Sequence, residues 1–210
     1  RDISMRRSVN TAIRRGHKKL MPEDLRSFER QSKGKCSIIY ALDASGSMRG
    51  KKIGSCKKAG IALAYKAISN KDKVGLIVFG EDIKAEIEPT GDFTVLLKKI
   101  AGIKASKRTD MAATIRRSVS LFHDRDATRH LIILTDAMPT KGDRPEDETL
   151  EAVNAASNAG ITISLIGINL NKKGEELARR IVEAGNGKLY SVRDSENVDK
   201  IILEDYYSVA

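Results

Sequence analysis

Within five residues, Asp43-Ala44-Ser45-Gly46-Ser47 supplies one carboxylate and two hydroxyls, directly after the apolar run Ile38-Ile39-Tyr40-Ala41-Leu42. An unbroken apolar run of that length predicts a buried parallel strand, so the three oxygen side chains leave a strand end together. Mg²⁺ is a hard cation that takes oxygen ligands in a near-octahedral shell and dehydrates reluctantly, and a carboxylate with two small hydroxyls on a tight turn suits it. Gly46 lets the backbone turn sharply between the serines. For the pentapeptide alone the alternative is a polar strand-to-helix turn whose serine caps the next helix.

Two further oxygen clusters occupy comparable positions. Leu131-Ile132-Ile133-Leu134 is a second apolar run and ends in Thr135-Asp136, while Lys107-Arg108-Thr109-Asp110 precedes the helix-period pattern Met111, Ile115, Val119 and Phe122. In an open parallel sheet the carboxyl ends of neighbouring strands meet at a crevice where ligands bind, so three loops converge there on one ion. Asp110 reads as a first-turn acid complementing a helix N-terminus rather than as a ligand. Lys107 and Arg108 either favour an acidic partner beside the ion or are solvated loop charges.

The elements that must position these groups follow from periodicity. Ile53, Cys56, Gly60, Leu63 and Ala67 recur at helical spacing, predicting a helix from Lys51 to about Asn70. Val74 to Phe79, closed by Gly80, predicts a central strand. Ala85 to Ile87 predicts a short edge strand ended by Pro89. Helices are expected over Phe93 to about Lys104, Asp110 to about Asp124, from near Glu146, and around Glu175 to Ala184. Strands are expected over Ile161 to Ile168 and Lys188 to Val192, with Ser195 capping a last helix that turns Val198, Ile201 and Ile202 inward. The prolines and glycine between Ala137 and Pro145 make a loop that rims the proposed site. Alternating strands and helices predict an α/β fold: a doubly wound, mainly parallel central sheet flanked by helices.

The 210 residues fit one domain, 36–210, preceded by a short basic extension, 1–35. That extension holds eleven Lys or Arg against four Asp or Glu, most of the chain's net charge of +10. From Ser4 to Arg15, Met5, Val9, Ala12 and Ile13 fall within an arc of about 100°, which predicts a basic amphipathic helix ending near Gly16. A second short element starts at Pro22 and runs to about Phe28. Met5, Val9 and Ile13 either dock on the domain or form a contact surface for nucleic acid, an acidic linker or a partner subunit. Phe28 is the one aromatic residue in the extension, so recognition of single strands by base stacking is poorly supported.

Several functions are excluded or weakened. No Gly-x-x-x-x-Gly-Lys-Ser/Thr run occurs, so any ATP hydrolysis belongs to another module. His17, His123 and His130 lack metal-ligand spacing and read as surface or helix-end residues. Cys36 and Cys56 sit in apolar patterns as reduced buried cysteines do, implying a reducing, cytoplasmic compartment. No stretch is apolar enough to span a bilayer. The chain starts at Arg1 rather than Met, which fits a piece of something longer.

The pattern resembles a von Willebrand factor A (integrin I-like, Rossmann-like) domain with a metal-ion-dependent adhesion site. Asp43, Ser45 and Ser47 meet its Asp-x-Ser-x-Ser, Thr109 its middle-loop Thr and Asp136 its last-loop Asp, over roughly residues 36 to 210. The resemblance implies Mg²⁺ held by the hydroxyls of Ser45, Ser47 and Thr109, while Asp43 and Asp136 act largely through bound waters; Mn²⁺, which shares the oxygen preference, is expected to substitute. Ala105-Ser106-Lys107-Arg108 stands where many relatives have a Gly pair. Ile3 to Ala12, Pro22 to Arg26 and Asp43 to Met48 are moreover similar to the corresponding region of magnesium-chelatase D-type subunits and their archaeal relatives. That resemblance implies assembly with an AAA+ ATPase module or subunit, on the same chain or a partner. Thr109-Asp110-Met111 departs from the Thr-Pro-Leu frequent in chelatases, which leaves porphyrin metalation open and suggests a broader ATPase-partner role.

With little anionic charge directly on the ion, it stays electrophilic toward an outside oxygen, and a partner's Glu or Asp fills the open position. The expected function is therefore a non-catalytic, Mg²⁺-dependent protein-interaction domain. The competing readings are a Mg²⁺-dependent phosphoryl-transfer or phosphoacceptor domain with Asp43 as nucleophile, and a nucleic-acid-binding module using the arginines of residues 6 to 15. The first is weakened because Ser45 replaces the acid usual two positions after such a nucleophile.

Overall fold

The computed structural model describes residues 5–17, 19, 21–24, 35–48, 50–103, 109–136, 139–193 and 197–209. The chain separates into two compact units, 1–33 and 34–210. In the first, α1 (Met5–Arg14) packs against a 3-10 turn, Pro22–Asp24. Arg15 donates to the Glu23 carbonyl (3.1 Å), and His17 Nδ1 lies 2.8 Å from the buried Asp24 carboxylate. Of the expected apolar arc of α1, Ala12 is buried, beside Ser8, whereas Val9 and Ile13 are 40% and 68% exposed. Of the second short element, Leu25 to Phe28 lie outside the described residues, as does Ser195.

The second unit is a six-stranded sheet in the order β3-β2-β1-β4-β5-β6. Its strands are β1 (Cys36–Asp43), β2 (Lys73–Phe79), β3 (Ile83–Thr90), β4 (Thr128–Thr135), β5 (Ile161–Ile168) and β6 (Asn186–Val192). All neighbours pair in parallel except β2 and β3. Between them run α2 (Lys51–Ser69), α3 (Phe93–Ala101), α4 (Met111–Leu121), α5 (Pro145–Asn158) and α6 (Lys172–Ala184), with α7 (Val198–Val209) last. The architecture is the expected doubly wound α/β fold. Every residue of β1 is buried because both faces are covered. Ile38, Tyr40 and Leu42 belong to the core shared with α2, α3 and α7, and Ile39 and Ala41 to the one shared with α4, α5 and α6.

Gly60 sets how closely α2 lies on β1: a Cβ there would stand 2.6 Å from Cε1 of Tyr40. The Tyr40 ring is pinned in turn, its hydroxyl donating to the Cys56 carbonyl at 2.7 Å.

Two expectations need correction. β3 does not stop before Pro89 but continues to Thr90, because the register between β2 and β3 shifts between the pairs Val74–Thr90 and Leu76–Ile87. Pro89 stands in that irregularity on an edge strand, where its missing N–H breaks no ladder. Gly75 opposite makes room; a Cβ on it would meet the Ile87 carbonyl at 2.8 Å. Second, His130 is no surface residue: it is fully buried in β4, with Nε2 3.0 Å from Ser164 Oγ of β5. Ser164 donates to Asp205 of α7 (2.9 Å) and accepts from the Lys188 N–H (3.2 Å). With its one proton given to Asp205, Ser164 accepts from His130, which is thereby the Nε2–H tautomer.

Candidate metal centre

The strand order reverses between β1 and β4: the chain leaves β1 for α2 on one sheet face and β4 for α5 on the other, which opens a crevice at their carboxyl ends. Asp43 closes β1, and the next amide, of Ala44, donates to the Phe79 carbonyl of β2 at 2.7 Å. The chain then enters a 3-10 turn, Gly46–Met48, anchored by the buried Met48. Gly50 follows with φ of 74°, a left-handed conformation that glycine adopts without strain, and α2 begins.

Asp43 is fully buried, and both its oxygens are engaged. Oδ1 accepts from the Ser45 amide (2.8 Å) and Oδ2 from the Thr135 hydroxyl at the end of β4 (2.7 Å). Burial pushes its pKa up, against the downward pull of these hydrogen bonds, and the charge of Asp136 adds to the rise. Ser47 Oγ donates to Asp136 Oδ1 at 2.7 Å, which fixes the remaining direction: Ser45 Oγ, 2.9 Å away, donates to Ser47. A chain of bonds thus runs from Ser45 through Ser47 to Asp136, the last bond joining residues 89 positions apart in sequence. Lys52, in the first turn of α2, holds the other oxygen of Asp136 at 2.5 Å.

Four of the five expected residues are brought together in this way: Asp43, Ser45, Ser47 and Asp136. Thr109 is buried at the same end of the sheet, but the bonded chain does not pass through its hydroxyl. Its loop is held by its backbone, whose N–H donates to Thr140 Oγ1 (3.3 Å) and whose carbonyl accepts from the Thr140 amide (3.0 Å), joining it to the loop after β4. The next amide, of Asp110, donates to the Gly80 carbonyl beyond β2 at 2.7 Å. Asp110 is the N-cap of α4, accepting from the Ala113 amide at 2.9 Å, as expected of a first-turn acid rather than a ligand. Lys107, Arg108, Ala137 and Met138 lie outside the described residues.

Sequence reasoning missed the parts played by Thr135 and Lys52. Thr135 stood in plain view beside Asp136, but its bond to Asp43 depends on β1 and β4 being neighbours, which no local pattern states. Lys52 had a signal: a cation in a helix's first turn opposes the helix dipole and calls for a compensating acid.

The donor set suits a hard cation. The hydroxyl protons of Ser45 and Ser47 are turned toward acceptors within the cluster, leaving oxygen lone pairs for a metal. No cluster of three or more His, Cys, Asp or Glu side chains placed to hold a metal occurs among the described residues, so the set is hydroxyl-rich rather than carboxylate-rich or soft. Burial and the charges of Asp136 and Asp43 push the pKa of the nearby Cys56 thiol up to about 12, so in the metal-free domain it stays protonated.

Comparison with known proteins agrees with the fold. Residues 37–204 match the family model of the von Willebrand factor type A domain. The magnesium-chelatase 67 kDa subunit of Heliobacterium mobile is 29% identical over 99 residues, 47% of this chain and 15% of that protein. A von Willebrand factor A domain-containing protein of Dictyostelium discoideum is 25% identical over 176 residues, 81% of this chain and 18% of that protein. The chain thus spans less than a fifth of the length of either relative. Among solved structures, a von Willebrand factor type A protein from Catenulispora acidiphila superposes with a TM-score of 0.71 at 17% identity, covering 81% of this chain and 42% of the other. By the extent of the family match and the strand order that carries the crevice, the chain belongs to the von Willebrand factor type A domain family.

Proposed function

We propose that this domain is a non-catalytic, Mg²⁺-dependent protein-interaction module. The observation that carries the reading is the bonded cluster Asp43, Ser45, Ser47 and Asp136, drawn from two strand ends onto one crevice with Thr109 in the adjoining loop. Ser45, Ser47 and Thr109 would hold the metal by their hydroxyls, with Asp43 and Asp136 orienting the waters around it. The bound ion supplies a Lewis-acidic position that accepts a carboxylate from a partner's Glu or Asp. The chain's own residues prepare that position: Ser47 and Asp136 take the Ser45 and Ser47 hydroxyl protons in turn, and the Thr135 hydroxyl and Ser45 amide fix Asp43.

The partner class in this reading is an AAA+ ATPase module or subunit. Partial similarity to a magnesium-chelatase subunit supports it, as do the extension motifs. Asp43 is poorly suited to act as a phosphoryl nucleophile, being fully buried with both oxygens occupied. Among the described residues no helix is long and apolar enough to cross a membrane.

A pulldown from source lysate, with Mg²⁺ and with chelator, tests the proposal. Capture of an ATPase subunit that chelator abolishes is the expected result; capture indifferent to chelator, or Asp43-dependent turnover of phosphate esters, would refute it.

A further inference from the structure

Resting on the metal reading above, we propose that Lys52 is a tethered counter-ion: its ammonium occupies Asp136 when no divalent cation is bound, so that Lys52 sets the metal affinity of the site. Metal binding then frees that ammonium at the rim, where it meets an acidic partner.

Three observations carry this. Asp136 has a side chain only 1% exposed, and its two oxygens are taken by the Ser47 hydroxyl and the Lys52 ammonium, the latter 28% exposed. Asp43 makes no ion pair among the described residues, so the cluster holds two carboxylates and one cation. And α2 offers Lys52 nothing at its own end: Gly50 gives no side-chain cap, the first turn contains no acid, and the helix dipole there repels cations. What keeps Lys52 in place is Asp136, 84 residues away in sequence.

An ammonium on Asp136 and a divalent ion among the same oxygens repel each other across a few ångströms in a half-buried site. A four-carbon stem lets the ammonium withdraw without moving the backbone of α2. The withdrawn charge stays near the crevice, where it favours a partner that presents carboxylates over one that presents a neutral oxygen. Divalent metal and Lys52 are thus alternative counter-ions for one carboxylate, and occupancy by the first makes the second available.

Calorimetric titration with MnCl₂, with thermal melts in Mg²⁺ and in chelator, on the parent domain, Lys52→Met, Lys52→Arg and Asp136→Ala, tests this. Lys52→Met, which keeps the apolar stem, is expected to bind Mn²⁺ about tenfold more tightly than the parent. In chelator it should melt below the parent, because Asp136 is left buried and unpaired, and Mg²⁺ should raise its melting temperature more. Lys52→Arg, which keeps the charge, should bind Mn²⁺ as the parent does, and Asp136→Ala should bind it weakly. Equal or weaker Mn²⁺ binding by a folded Lys52→Met, beside a parent that binds, overturns the role of Lys52 and leaves the metal reading standing. A parent that binds no Mn²⁺ overturns both.

Discussion

Asp205 offers a test in which the magnitude follows from the structure. Its carboxyl, on the inner side of α7, is fully buried and accepts from Ser164; its other oxygen lies 3.2 Å from His130 Nε2, with the Tyr190 hydroxyl nearby. Burial raises the pKa of Asp205 from 3.8 to about 6, against the hydrogen bond from Ser164, the charge of Lys188 and the Tyr190 hydroxyl, with Glu204 adding to the rise. Burial also lowers that of His130 to about 3, so the histidine is neutral and offers no compensating charge. The folded state therefore holds the proton on Asp205 more tightly than the unfolded chain does. The stability this confers is fully present below about pH 3.8 and is lost as pH rises through about 6. Two units correspond to about 3 kcal/mol over the whole range, of which about 2 kcal/mol falls between about pH 4.5 and 7.5. Asp205→Asn removes the titration and keeps an acceptor for Ser164. Urea unfolding followed by far-UV circular dichroism, since the chain has no Trp, should find the variant's stability relative to the parent rising by about 2 kcal/mol over that interval. A difference that stays flat with pH, or falls, would refute the assignment whatever the offset between the two proteins.

Further outcomes are expected elsewhere. Gly60→Ala should cost about 1–3 kcal/mol by chemical denaturation, because its methyl meets a Tyr40 ring that its own hydrogen bond prevents from yielding. Thr135→Val removes a donor to buried Asp43 and should destabilise the metal-free domain by about 1–3 kcal/mol, read as a shift in the urea midpoint. Ser47→Ala and Asp136→Ala should each weaken metal-dependent partner capture by at least about tenfold while leaving the far-UV spectrum unchanged; parent-like capture by both would count against the cluster.

Much of the frame was legible because it rests on local periodicity. The run Ile161 to Ile168 is β5 to the residue, and the helix expected from Lys51 is α2. Asp43, Ser45, Ser47 and Asp136 were legible because strand ends in a parallel sheet share one edge. What stayed hidden depends on which strands are neighbours. The bond from Thr135 to Asp43 and the buried set His130, Ser164 and Asp205 join residues 34 to 92 positions apart, and each looks ordinary in its own segment. His130 misled for that reason: a histidine after Thr128-Arg129 reads as surface until Ser164 on the next strand is seen beside it. Pro89 misled differently, since its penalty applies to a central ladder and vanishes at a bulged edge.

The claim on which the functional account depends is that oxygens from three loops share one divalent cation. Crystals grown with Mn²⁺ and measured at a wavelength where it scatters anomalously would test it directly. The account predicts a single strong anomalous peak in the crevice, within bonding distance of the hydroxyls of Ser45, Ser47 and Thr109. A map with no peak there, or with the Thr109 hydroxyl turned away from the ion, would contradict it.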